Sequence, residues 1–127
     1  MSEHRTQNEI RLAIGGDAAL FRNNVAQAWV GETSRLRDGS VLIKNPRILH
    51  AGLFKGSGDL IGWRSVTVDP SMVGQQVAVF VSIEVKPPKG GRVTTDQRNW
   101  ADKVQAAGGY AGIARSPEEA KSILHLT

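Results

Sequence analysis

The spacing of apolar positions changes several times along the chain, and each change marks an expected element. Residues 3 to 14 carry Ile10, Ala13 and Ile14 at helical spacing, which predicts a helix. Gly15-Gly16 ends it. Residues 18 to 30 lose that period and read as extended, bounded by glycines. "SVLIKNPRILHAGLF", 40 to 54, predicts a second extended pair about Asn45-Pro46. "GSGDLIGWRSVTV", 56 to 68, opens as a glycine-rich turn and becomes a strand. "QVAVFVSIEVK", 76 to 86, is the clearest strand, and its apolar start predicts burial on both faces.

Downstream the helical period returns. Thr94 followed by Gln97 is a capping-box pattern, and Gly108-Gly109 supplies a left-handed stop. Gln97, Ala101, Val104 and Gly108 share one stripe, with Trp100 beside it. "YAGIA", 110 to 114, is a short strand. In the last helix Ser116 caps, Pro117 stands first and Glu119 completes the box. Helices with several strands between them predict an α/β or α+β domain with a mixed central sheet flanked by helices. No long linker divides residues 1–127, so a single domain is expected.

Composition narrows the chemistry. The chain has no cysteine, which excludes disulfides, thiolate metal sites and cysteine nucleophiles. His4, His50 and His125 lie far apart without ligand spacing, so any metal would be a hard, oxygen-liking ion such as Mg²⁺. The net charge is +4, which fits a polyanionic partner or solubility alone. The first residues are polar and no stretch is apolar for about 18 residues, so no membrane span is expected and a cytoplasmic location is. "GGDAAL" lacks the Lys-Ser/Thr of a phosphate-binding loop, so neither a nucleotide cofactor nor a small-substrate phosphatase is expected.

Strand alternation places Phe80, Ser82, Glu84 and Lys86 on one face and Val79, Val81, Ile83 and Val85 on the other. Glu84 and Lys86 project the same way, roughly 6.5 to 7 Å apart along the strand. They read either as an ion pair at a solvated strand end or as parts of a site. Asp59, after Gly56-Ser57-Gly58, reads either as a turn aspartate or as a ligand. If the two strands are hairpin neighbours, Asp59 and Glu84 lie at the same end. Two carboxylates there would hold Mg²⁺, and Lys86 would add a cation beside the attacking water or the phosphate. That is the outline of a phosphodiesterase.

"GD" followed by "IEVK" resembles the (P)D…(D/E)xK pattern of restriction-endonuclease-like nucleases. "RVTTDQRNWADKVQAAGGYAGIARSPEEA" is similar to the downstream part of the virus-type replication-repair nuclease (VRR-NUC) family. "LFRNNVAQAW" resembles the Arg/Asn segment of its small phage-encoded members, and "SEHRTQNEIR" their opening helix. The resemblance covers nearly the whole chain and implies a stand-alone VRR-NUC domain with a restriction-endonuclease-like core. It implies Asp59 and Glu84 as ligands of Mg²⁺ or Mn²⁺, with the Val85 carbonyl as a third. It implies Lys86 as the catalytic lysine and Gln97 as a residue shaping the site, although a cap alone also accounts for Gln97. Glu3 is the favoured helix ligand, since it shares the face of Ile10 and Ile14 and stands four residues before Gln7; Glu9 is the other candidate. Gly58 departs from the proline of the wider pattern. Arg22, Asn23, Asn24, Lys55, Lys89, Arg92 and Arg98 are candidate DNA contacts, each also readable as an ordinary surface group. The tryptophans Trp29, Trp63 and Trp100 read as core or interface residues. The implied activity is a metal-dependent endonuclease on branched DNA, acting as a homodimer and encoded by a phage or prophage in a bacterial cell. The rival is a DNA-binding module that keeps the fold without catalysis.

Overall fold

The helices form where local caps and periodicity predict them. In the computed structural model, which describes residues 2–126, α1 spans Glu3–Ile14 behind Ser2, whose hydroxyl accepts the Arg5 N–H at 3.2 Å. α2 spans Thr95–Ala106. Its Thr94 hydroxyl accepts the Gln97 N–H at 3.1 Å, and the Gln97 side-chain oxygen accepts the Thr94 N–H at 3.0 Å. The helix ends with the Gly109 N–H on the Val104 carbonyl (2.9 Å) and the Gly108 N–H on the Gln105 carbonyl (3.0 Å). Gly108 takes φ +99°, which glycine adopts without a Cβ penalty. α3 spans Pro117–Ile123 and is capped by Ser116. Its Glu119 carboxylate reaches one residue beyond the expected box and accepts the Arg115 N–H.

The strands do not follow the apolar runs one to one: the run from 18 to 30 breaks into two, and the second passes beyond it to Arg35. They are β1 (Ala19–Arg22), β2 (Ala26–Arg35), β3 (Val41–Ala51), β4 (Leu60–Trp63), β5 (Val81–Val85) and β6 (Tyr110–Ala114). They associate as three two-stranded sheets, β1–β4, β2–β3 and β5–β6. β2–β3 is antiparallel and β5–β6 parallel, so an α/β fold is built with strands of both orientations. Strands β4 and β5, treated above as conditional hairpin neighbours, each pair with another strand. Asn45-Pro46 is not a turn between two strands but a bulge within β3. Val30 faces Arg47 and Glu32 faces Lys44, so two residues oppose the single Gly31. Asn45 takes φ +50°, which asparagine tolerates, and a bulge is one of the few strand positions open to proline.

The chain divides into two compact units, Met1–Gly62 and Trp63–Thr127. In the first, Gly62 lets β4 approach β1 closely: a Cβ there would stand 1.8 Å from the Ala19 carbonyl oxygen. In the second, parallel pairing requires a crossover, and α2 provides it between β5 and β6. Val104 of α2 is fully buried, with Ala111 and Ala114 of β6 nearly so. Gly112 leaves room for Ile123 of α3, whose Cδ1 lies 2.8 Å from where a Cβ would be. Gly112 pairs with Ile83 and shares its face, so α3 covers the side of the sheet opposite Ser82 and Glu84. Among the described residues no helix is long and apolar enough to cross a membrane.

The close approach at Gly62 is backbone against backbone and cannot be relieved by a rotamer change. Gly62→Ala is expected to lower the unfolding free energy by about 1–3 kcal/mol or more. Gly16→Ala, where nothing lies within 4 Å, serves as the neutral control. Urea titration of both variants checks the difference.

Candidate active site

The even-numbered face of β5 meets α2, and the two elements build one polar corner on an aromatic base. Trp63, Phe80 and Trp100 form the base, with ring centroids 4.8 Å (Trp63–Phe80), 5.8 Å (Trp63–Trp100) and 6.4 Å (Phe80–Trp100) apart. The Trp100 indole N–H donates to the Ser82 hydroxyl at 2.8 Å, satisfying a donor that an aromatic cluster alone would leave without an acceptor. One turn earlier on α2, the Gln97 side-chain N–H donates to Glu84 Oε1 at 2.9 Å. The cap expected of Gln97 is present, and the same amide has a second partner. Its oxygen closes the helix cap and its nitrogen holds the carboxylate. Ser82, Glu84, Asp96, Gln97, Trp100 and Ala101 line an open pocket of about 300 Å³.

Lys86 follows Glu84 on the same face, and its Nζ lies 3.5 Å from Glu84 Oε1. Its side chain is only 15% exposed, so the stem is packed while the ammonium stays beside the carboxylate. The Lys86 N–H donates to the Ala114 carbonyl at 3.0 Å. Backbone alternation then turns the Val85 carbonyl to the opposite edge of β5, away from β6. After Lys86 the chain makes a loop of prolines and glycines with few N–H groups to bond. Arg115, at the end of β6, gathers it: its guanidinium donates to the carbonyls of Pro87 (3.0 Å), Gly90 and Gly91 (3.0 Å). Sequence reasoning missed this clamp. The sequence offers only an arginine directly after a short strand and, well before it, a Pro-Pro-Lys-Gly-Gly run poor in N–H groups. Lys89, Arg92 and Arg98 are exposed around this loop and the start of α2.

The remaining predicted residues belong to the first unit. Asp59 is exposed immediately before β4, and its carbonyl accepts the Asn23 N–H at 2.9 Å. Asn23, expected at a phosphate, is instead buried at 7% exposure. Its side-chain nitrogen donates to Ser57 Oγ (2.7 Å) and the Gly58 carbonyl (2.9 Å), and its oxygen accepts the Leu53 N–H (3.0 Å). The amide is fully engaged within the fold and has nothing left for an external phosphate. Arg22 is exposed but turns toward α1, where its guanidinium meets Asn8 and, at 3.4 Å, His4. Asn24 and Lys55 are exposed. Glu9 is paired with Arg5 at 3.0 Å on α1, while Glu3 stands in the first turn of that helix.

The donors named above are carboxylates and a carbonyl, which suit a hard divalent ion and exclude a thiolate site. Among the described residues no three acidic or histidine side chains gather into a ready metal-binding group. Glu84 and Val85 are adjacent in the second unit; Glu3 and Asp59 are in the first.

Comparison with known proteins gives one match: the model of the VRR-NUC domain matches residues 31–118, well over half the chain. Neither curated proteins nor solved structures gave a match. The matched span contains Asp59, Glu84, Lys86 and Gln97, and the domain is of nuclease type, with DNA as its partner.

The reciprocal cap at Thr94 sets where α2 begins and therefore where Gln97 stands. Thr94→Ala is expected to lower the unfolding free energy by about 1 kcal/mol in urea titration. A change within error of zero would show that α2 is started by something else.

Proposed function

The chain belongs to the VRR-NUC family, and from that premise we propose that it is a metal-dependent endonuclease hydrolysing phosphodiester bonds of branched DNA. The observation that most supports this reading is the corner formed by Glu84, Lys86 and Gln97. The Gln97 amide orients the carboxylate at 2.9 Å, and the ammonium of a mostly covered lysine side chain sits 3.5 Å from it. An exposed ion pair without such support would contribute little by itself.

In this reading Asp59, Glu84 and the Val85 carbonyl hold Mg²⁺ or Mn²⁺, with Glu3 as a further ligand from α1. The bound ion would supply a more acidic water and offset charge on the scissile phosphate. Gln97 fixes the rotamer of Glu84, so that one carboxylate oxygen remains for the ion. Lys86 keeps a cation at the same corner, where it neutralises a phosphate oxygen or steadies the attacking water. Its covered stem restricts that cation to a small volume, which favours one reactive geometry. Asn24, Lys55, Lys89, Arg92 and Arg98 are exposed and would contact the DNA backbone without reading sequence. Residues 1–127 would act as one nuclease domain. A homodimer would present two such sites about a two-fold axis, which suits a four-way junction. The likeness to small phage-encoded members points to a phage or prophage protein working in a bacterial cytoplasm.

Cleavage of a four-way junction with Mg²⁺ or Mn²⁺ tests the reading. Glu84→Ala and Lys86→Ala are each expected to lower the single-turnover rate by about a hundredfold or more while junction binding persists. A wild-type protein that binds the junction and cuts nothing with either metal would favour the non-catalytic module.

A further inference from the structure

We propose that Asn23 is a positioning residue for Asp59, fixing the loop that carries this carboxylate through four hydrogen bonds. The inference rests on the reading of Asp59 as a metal ligand.

Residues 52 to 59 have little regular structure to hold them. Gly52 and Gly56 adopt φ +79° and +90°, so the segment contains two positions of wide conformational freedom. Asn23, just after β1, contacts the segment at four points. Its side-chain oxygen accepts the Leu53 N–H (3.0 Å) near the beginning. Its side-chain nitrogen donates to Ser57 Oγ (2.7 Å) and the Gly58 carbonyl (2.9 Å), and its backbone N–H donates to the Asp59 carbonyl (2.9 Å). Three consecutive residues, Ser57, Gly58 and Asp59, are thus held by one residue that is 7% exposed. Gly52 adds a close approach: a Cβ there would stand 2.8 Å from the Asn24 carbonyl oxygen.

Asp59 is exposed, and the bonds to the Gly58 and Asp59 carbonyls fix the backbone from which its carboxylate projects. A ligand on a floating loop loses affinity to the entropy of ordering that loop, and outer groups that hold ligands in place raise affinity correspondingly. Asparagine is specific here. Aspartate would keep the oxygen facing Leu53 but set a second oxygen against the Gly58 carbonyl. Alanine would abandon all three side-chain bonds.

The test uses Mn²⁺ as the probe and reads binding as well as cleavage. Free Mn²⁺ is followed by paramagnetic resonance for wild type, Asn23→Asp, Ser57→Ala, Asp59→Asn and the double variant Asn23→Asp/Asp59→Asn. Binding of a four-way junction is measured separately without metal. Asn23→Asp is expected to weaken Mn²⁺ binding about tenfold or more and to leave metal-free junction affinity unchanged. The double variant should bind Mn²⁺ no worse than Asp59→Asn alone. Ser57→Ala removes a single acceptor and should weaken Mn²⁺ in the same direction; it carries the test if Asn23→Asp does not fold. Lost junction affinity with unchanged Mn²⁺ binding in the folded variants would make Asn23 a phosphate contact and overturn the proposal. If Asp59→Asn loses Mn²⁺ and neither Asn23→Asp nor Ser57→Ala does, the positioning role fails and the metal reading stands. If Asp59→Asn binds Mn²⁺ as wild type does, both fall together.

Discussion

The second unit turns on the side-chain amide of Gln97. Its two ends do different work: the oxygen completes the cap of α2, and the nitrogen holds Glu84. An amide is rigid and planar, so the helix start and the carboxylate are fixed relative to each other. The link works because β5 alternates, presenting Ser82 and Glu84 to the same helix that offers Trp100 and Gln97 three residues apart. Trp100 bonded to Ser82 sets the depth of the helix on the strand, and Gln97 bonded to Glu84 sets its end. A glutamate in place of Gln97 would satisfy the cap equally well and set a second carboxylate against Glu84.

What could be read from the sequence was what is decided locally. The start and end of α1, the reciprocal cap of α2 and the glycine stop after it depend on residues within a turn of one another. β6 was also legible, because Gly109 and Ser116 confine it. Strand partners were not, since pairing is settled between segments far apart. The run from 76 to 86 reads as one long strand, yet only Val81–Val85 pairs, because β6 is five residues long and ends the ladder. Asn45-Pro46 carries every local mark of a turn. Its continuation as a strand depends on β2 running alongside and on Gly31 yielding space opposite the bulge.

The candidate site divides in the same way. Glu84, Lys86 and Gln97 were legible because one strand face and one helix start bring them together with little else required. Asn23 was misread because a polar residue after a short strand looks like surface, and its burial depends on a loop some thirty positions later in the chain. Arg22 is exposed, and its contacts with His4 and Asn8 on the helix before it were not legible, since no local pattern links them. Arg115 went unnoticed because its role is visible only once the end of β6 is seen beside the loop after β5.

The bulge in β3 also bears on colloidal behaviour. β2 and β3 pair only with each other among the described strands, and Trp29, Leu42, Ile48 and Leu49 on this ribbon are about half exposed or more. A flat ribbon of that composition would be a template for stacking between molecules. Two oppositely placed residues force a local coil, and Pro46 deletes one donor from the row of groups a neighbouring chain would need. The same irregularity that disguises β3 in the sequence thus shields the ribbon against fibrous self-association.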